Sequence, residues 1–237
     1  MFVTATLFLA FSQAKSLSVN NSSKPGAFLL AGGGTTTKEM VEEFAKLCGG
    51  KDGRILVLAQ TREDPTKGAS SLTFLKENGF SDPLLIEDKE LSVERKKSLE
   101  DEFAKAIGFW VPGGNQNLVI ERFGQKWFHD NVSLAIKRGA NWFGTSAGAM
   151  VVSDPMIGGN NPDNSPKIVP GAGLLDVLID THFKTRNRKE RMRITFHRGK
   201  YQMAVGLDEG EWIIIRDSQI EKKYGEPMIM LKESRLE

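Results

Sequence analysis

From Ala27 onward, apolar runs of strand length alternate with longer amphipathic segments. That alternation predicts a mostly parallel sheet covered by helices on both faces, an α/β fold of three layers. The runs expected as strands are Ala27 to Ala31, Arg54 to Ala59, Pro83 to Ile86, Gly108 to Val111, Asn141 to Phe143, Val177 to Ile179 and Ala204 to Leu207, then a closing pair, Trp212 to Arg216 and Met228 to Leu231. Between them, Thr37 to Leu47 spaces Met40, Val41, Phe44, Ala45 and Leu47 along one helical face and stops at Gly49-Gly50, while Val93 to Ala106 predicts a charged, solvated helix. Asp154 to Pro170 holds four prolines, three asparagines and two glycines, and is expected to be a loop. No internal repeat stands out.

Candidate chemistry gathers where these runs end. Asn141 to Phe143 passes through Gly144-Thr145-Ser146-Ala147-Gly148 into small, helix-compatible residues. A serine at such a strand-to-helix turn points its hydroxyl outward, and its small neighbours leave room for a substrate, so Ser146 is the candidate nucleophile. Phe109-Trp110-Val111 ends likewise in Gly113-Gly114-Asn115-Gln116. Loops at the carboxyl ends of parallel strands share one crevice, which would set the Gly113 and Gly114 amides beside that of Ala147 as an oxyanion hole.

A serine nucleophile needs a base, and the chain has three histidines, His129, His182 and His197. His182 ends the apolar run Val177 to Ile179 and would surface at the same crevice. His129 lies in an amphipathic stretch and His197 in a basic helix-like one, so both are expected at the surface or in packing. For the orienting acid, Asp208 and Glu209 both follow the run Ala204 to Leu207. Asp180 is a rival, although at two residues from His182 it would sit beside the ring rather than behind it.

These motifs together resemble the cyanophycinase and dipeptidase E family of serine peptidases, which share a fold with class I glutamine amidotransferases. The matching residues are Ala31-Gly32-Gly33-Gly34, Gly113-Gly114-Asn115-Gln116, Gly144 to Ala149, Gly171-Ala172-Gly173-Leu174-Leu175, Asp180-Thr181-His182-Phe183 and Gly206-Leu207-Asp208-Glu209. The resemblance implies Ser146 as nucleophile, His182 as base and Glu209 as third member, with Gln116 and Asp180 in the substrate site. Asn115 departs from the aspartate that cyanophycinases often carry there. The basic run from Lys184 resembles the arginine-bearing stretch of cyanophycinases, which places Arg186 and Arg188 against substrate carboxylates and Asp180 against a substrate guanidinium. The expected activity is that of an exopeptidase cleaving aspartyl linkages through an acyl-enzyme on Ser146, with cyanophycin degraded to β-Asp-Arg dipeptides. An aspartyl dipeptidase, an α/β-hydrolase esterase and a non-catalytic binding protein on the same scaffold are the alternatives.

Composition narrows the picture further. At 237 residues and 40% hydrophobic content, residues 25–237 fit one domain. A net charge of +2, from 32 basic and 30 acidic residues, gives no reason to expect nucleic acid or a membrane surface as partner. The expected partner is a peptide substrate, and a homodimer is compatible with the chain. The single cysteine, Cys48, cannot form an internal disulfide, and no His and carboxylate spacing suits a metal. Gly32-Gly33-Gly34 fails the dinucleotide pattern at Thr37, so no cofactor is expected. Met1 to Phe11 is apolar, with small residues placed for cleavage after Ala14, and resembles a signal peptide without its basic start; Ser16 to Lys24 reads as a linker. Residues 1–24 would then be leader and linker, and the protein secreted or periplasmic; without a leader it would be cytoplasmic.

Overall fold

Successive residues of the central strands are buried on opposite faces of one sheet, which is how two cores form on either side of it. The computed structural model of the chain describes residues 24–232. The expected leader, and the linker up to residue 23, lie outside the described residues. In chain order the strands are β1 (Phe28–Ala31), β2 (Arg54–Leu58), β3 (Asp82–Ile86), β4 (Gly108–Val111), β5 (Asn141–Thr145), β6 (Met156–Asn160), β7 (Pro166–Val169), β8 (Val177–Thr181), β9 (Met203–Leu207), β10 (Trp212–Arg216), β11 (Gln219–Tyr224) and β12 (Met228–Leu231). The helices are α1 (Lys38–Leu47), α2 (Ala69–Glu77), α3 (Val93–Lys105), α4 (Asn117–Phe123), α5 (Gln125–Lys137), α6 (Ala147–Met150) and α7 (Lys189–Arg198).

The central sheet has the order β11-β10-β1-β5-β4-β2-β3, with β1 to β5 mutually parallel and β10 and β11 added antiparallel. On β1, Leu29 and Ala31 join Met40 and Phe44 of α1 in one core, while Phe28 and Leu30 join the other core with Phe103 of α3 and Phe128 of α5. This is the three-layer, mostly parallel α/β architecture that the hydrophobic pattern predicts. Caps agree with it: Thr37 accepts from the Met40 amide at the start of α1, and Ser92 accepts from the Arg95 amide at the start of α3.

Three expectations need correcting. Val177 to Ile179 and Ala204 to Leu207 leave the central sheet and form a second one, β12-β9-β8, whose apolar residues fill the core on the α3 and α5 side. The expected closing pair does not pair: β10 lies between β1 and β11, and β12 runs antiparallel to β9. The expected loop from Asp154 to Pro170 contains the hairpin β6–β7, whose register shifts between Ile157 and Gly159. A glycine-rich, bulged strand lacks the alternation that marks a half-buried one.

Candidate active site

Ser146 directly follows β5 and precedes α6. Its backbone is held at φ 52°, ψ −113°, a sparsely populated region that costs energy for a residue with a Cβ. Neighbouring strands hold it there. The Ser146 amide donates to the Ala31 carbonyl (2.9 Å), and the Trp142 indole donates to the Gly148 carbonyl (3.1 Å) across the turn. The hydroxyl is thereby aimed out of the sheet end.

His182 leaves β8 with φ 48°, its amide bonded to the Gly32 carbonyl at 2.9 Å. That turn brings its Nε2 to 2.9 Å from Ser146 Oγ. On the other side of the ring, Nδ1 lies 2.7 Å from Glu209 Oε1, which follows the adjacent strand β9. The imidazole is largely sheltered and the carboxylate partly open to solvent, with 12% and 45% of their side-chain surfaces exposed. A ring fixed in this way can accept the serine proton at Nε2 while Nδ1–H stays bonded to the acid. Gly33 floors the arrangement at φ 118°; a Cβ there would stand 2.4 Å from the His182 ring. The glycine run after β1 thus packs against the histidine.

Of the two carboxylates left open by the sequence, Asp208 turns the other way. It accepts from the amides of Thr185 (2.9 Å) and Lys184 (3.1 Å) and so anchors the segment after His182. Partial burial works against its charge, but the hydrogen bonds outweigh it and hold the carboxyl below the usual aspartate value. Asp180 is also misplaced for the role expected of it. It is fully buried, Arg191 grips both its oxygens (Nε to Oδ2 2.7 Å), and Arg188 Nη1 stands 3.3 Å away. With its charge already answered, it cannot meet a substrate guanidinium; it positions two arginines instead. Burial, then the like charge of Arg191, lowers the Arg188 pKa against the pull of Asp180, and the guanidinium stays charged.

The remaining expected residues converge. The Gly113-Gly114 turn packs on the serine, and a Cβ on Gly113 would lie 3.3 Å from that of Ser146. Gly114, at φ 150°, presses on Thr61, whose carbonyl would be 2.2 Å from an added Cβ. Among the described residues the amides of Gly113, Gly114 and Ala147 have no acceptor, as donors kept for an oxyanion would. Ser146 stands where two clefts meet. The larger, about 690 Å³, runs past His182, Gly33, Arg62, Phe74, Trp110 and Arg186. The smaller, about 230 Å³, is walled by Asn115, Gln116, Thr181, Arg186, Arg188 and Arg191. Gln116 is fixed by donating to the Ile157 carbonyl (2.7 Å), and Asn115 Oδ1 accepts from the Asn117 amide (3.0 Å). His129 and His197 lie away from both clefts; His129 Nδ1 is 2.9 Å from the Ala172 carbonyl, and His197 is exposed on α7. Arg62 and Arg191 were not singled out from the sequence. Arg62 stands close after the β2 run, at the same sheet edge as Gly113, and that position was the available signal.

A serine, a histidine and a carboxylate brought into line by converging strand ends of an α/β fold define the class of serine-type hydrolases. The comparisons sharpen this. The model of peptidase family S51 matches residues 28–223. A cyanophycinase of Geminocystis herdmanii is 25% identical over 193 residues, covering 78% of this chain and 71% of its own. A peptidase E of Citrobacter koseri is 28% identical over 118 residues, 46% of this chain and 52% of its own. A putative peptidase E from Listeria monocytogenes shares the fold, with a TM-score of 0.62 at 16% identity over 85% of this chain and 100% of that one. The chain belongs to peptidase family S51 and is a serine-type peptidase.

Proposed function

We propose that the chain is an exopeptidase that cleaves aspartyl peptide linkages through an acyl-enzyme on Ser146, acting on cyanophycin and releasing β-Asp-Arg dipeptides. The observation that carries this reading is the smaller cleft, where Arg186 and Arg188 line the space beside the nucleophile and Arg191 is held on Asp180. Arginine forks bind carboxylates at two points, which suits an aspartyl unit bearing an acid group.

In this reading Ser146 Oγ attacks the scissile carbonyl as His182 Nε2 takes its proton. Glu209 holds Nδ1–H and stabilises the imidazolium, and the amides of Gly113, Gly114 and Ala147 receive the developing oxyanion. The imidazolium then protonates the departing amine. Water, deprotonated by the same histidine, releases the acyl unit. Arg186 and Arg188 hold the acyl unit's carboxylate, with Gln116 and Asn115 at its rim, while Asp180 acts from behind as a positioning residue.

One observation favours a second reading, a dipeptidase for short aspartyl peptides: the residues lining the smaller cleft include no acid to answer the arginine side chain of cyanophycin. Incubation of the purified protein with cyanophycin and with aspartyl dipeptides, with products identified by mass spectrometry, separates the two. Release of β-Asp-Arg supports the first. Cleavage of the dipeptides alone supports the second, and cleavage of neither rejects both.

A further inference from the structure

Only one of the two clefts at Ser146 contains the base. His182 lines the larger cleft, whereas the smaller reaches Ser146 past Thr181 and the arginines without including the imidazole. In acyl transfer the histidine that accepts the serine proton delivers it to the leaving nitrogen, so that nitrogen departs on the imidazole side. The larger cleft therefore takes the leaving unit. This assignment rests on the acyl-enzyme route proposed above.

That cleft contains a cation with no partner of its own. Arg62 follows the turn Ala59–Thr61 after β2, and its side chain is partly buried. Its Nε is shut off from solvent and has no hydrogen-bond partner, and among the described residues no carboxylate pairs with the guanidinium. Its terminal N–H groups also have no partner among those residues but are not closed off, so they are the ones an anion entering the cleft can reach. The position is also built. Arg122 of α4 reaches under the segment and donates to the carbonyls of Gln60 (2.9 Å), Arg62 (2.5 Å) and Glu63 (3.0 Å). The Arg62 amide closes the turn on the Ala59 carbonyl at 2.9 Å. Arg122 is thus engaged by backbone, and Arg62 is left facing the cleft. Phe74 and Trp110, with ring centroids 6.0 Å apart, form an aromatic wall beside it.

We infer that Arg62 binds a carboxylate of the leaving unit, so that an anionic peptide is held by arginines on both sides of the scissile bond. The acyl unit meets Arg188, the leaving unit meets Arg62, and Arg186 stands where the two clefts join. A leaving residue with a free carboxylate close to the scissile nitrogen satisfies this geometry, whether it ends an aspartyl dipeptide or is the next unit of a branched aspartyl polymer.

The test compares an aspartyl dipeptide and a two-unit cyanophycin fragment, each with the carboxylates of the leaving unit free or amidated. In the wild type, kcat/KM for the free acid should exceed that for the amide by at least about tenfold, the scale of one charge-assisted hydrogen bond. Arg62→Gln should erase the preference by raising KM for the acid, leave the amide's constants unchanged, and keep the wild-type unfolding midpoint. Arg62→Lys should restore part of the preference. Cleavage with the same acid-to-amide ratio in wild type and Arg62→Gln overturns the Arg62 assignment alone. If the wild type cleaves neither peptide, and the Ser146→Ala variant binds neither by calorimetry, the aspartyl reading falls and this inference with it.

Discussion

Asp180 and Arg191 form a buried two-point ion pair behind the smaller cleft, and Arg188 closes on the same carboxylate from the other side. Only Thr181 separates Asp180 from His182, yet the acid serves the arginines and the histidine takes its acid from the next strand. Asp180→Asn should therefore act first on stability, since it leaves two largely buried guanidiniums without their counter-charge. Removing one partner of such a pair costs about 3 kcal/mol or more. Urea unfolding measures it; a loss well under about 1 kcal/mol with a raised KM would return Asp180 to direct substrate contact.

The nucleophile prediction concerns Ser146. Ser146→Ala should keep the fold and lower turnover by roughly 10⁴- to 10⁶-fold, because only oxyanion and binding contributions then remain. It should also abolish labelling by a fluorophosphonate probe. Labelling that persists in the variant would move the acylated residue elsewhere.

For the base, His182→Ala should be as damaging as loss of the serine, while His129→Ala and His197→Ala retain turnover, since neither imidazole lies at the clefts. Glu209→Gln should lower kcat by about 10³-fold with little change in KM, as expected when the histidine loses its orienting charge. An Asp208→Asn variant with the larger kcat defect would reverse the order of the two acids.

Much of this site is legible in the sequence because its residues follow apolar runs, and the carboxyl ends of β4 and β5 in the central sheet meet those of β8 and β9 in the second. Ser146, His182, Gly113 and Glu209 all share that signature. Asp180 shares it too, yet serves the arginines, because its partner Arg191 stands eleven residues on, in a helix whose docking no local pattern records. The second sheet was hidden for a related reason: Val177 to Thr181 is buried throughout, as a central strand would be, so its run does not say which sheet it joins. The strand β11 carries no hydrophobic signal because Gln219–Tyr224 is a polar edge strand with both faces largely exposed.

Cys48 tests the choice of nucleophile from another direction. Burial pushes its thiol up to about 12, and its Sγ rests 3.6 Å from the Ile107 carbonyl. At about pH 8 only on the order of one thiol in 10⁴ would be ionised. Native protein should resist iodoacetamide and stay active, and alkylation should appear only with denaturant. Rapid native alkylation, followed by mass spectrometry, would show the thiol to be accessible.

The last prediction turns on Asp208, whose carboxyl is held below the usual 3.8 by amide hydrogen bonds from Thr185 and Lys184. A carboxyl with a lowered folded-state value binds fewer protons when folded than when unfolded. Its stabilisation is therefore complete above about pH 4 and is lost as pH falls through the folded value. Asp208→Asn keeps an oxygen that can accept from the two amides but removes the charge and its titration. The variant should be less stable than wild type near neutral pH, by about 1 kcal/mol for two partly exposed hydrogen bonds to a charge. The gap should narrow below about pH 4, where the wild-type carboxyl begins to take up its proton. Because those bonds anchor the segment carrying Arg186, KM should rise alongside. Urea midpoints measured near neutral pH and again below the usual aspartate value decide it: a gap that stays constant across that interval would mean that Asp208 titrates alike in the folded and unfolded chain.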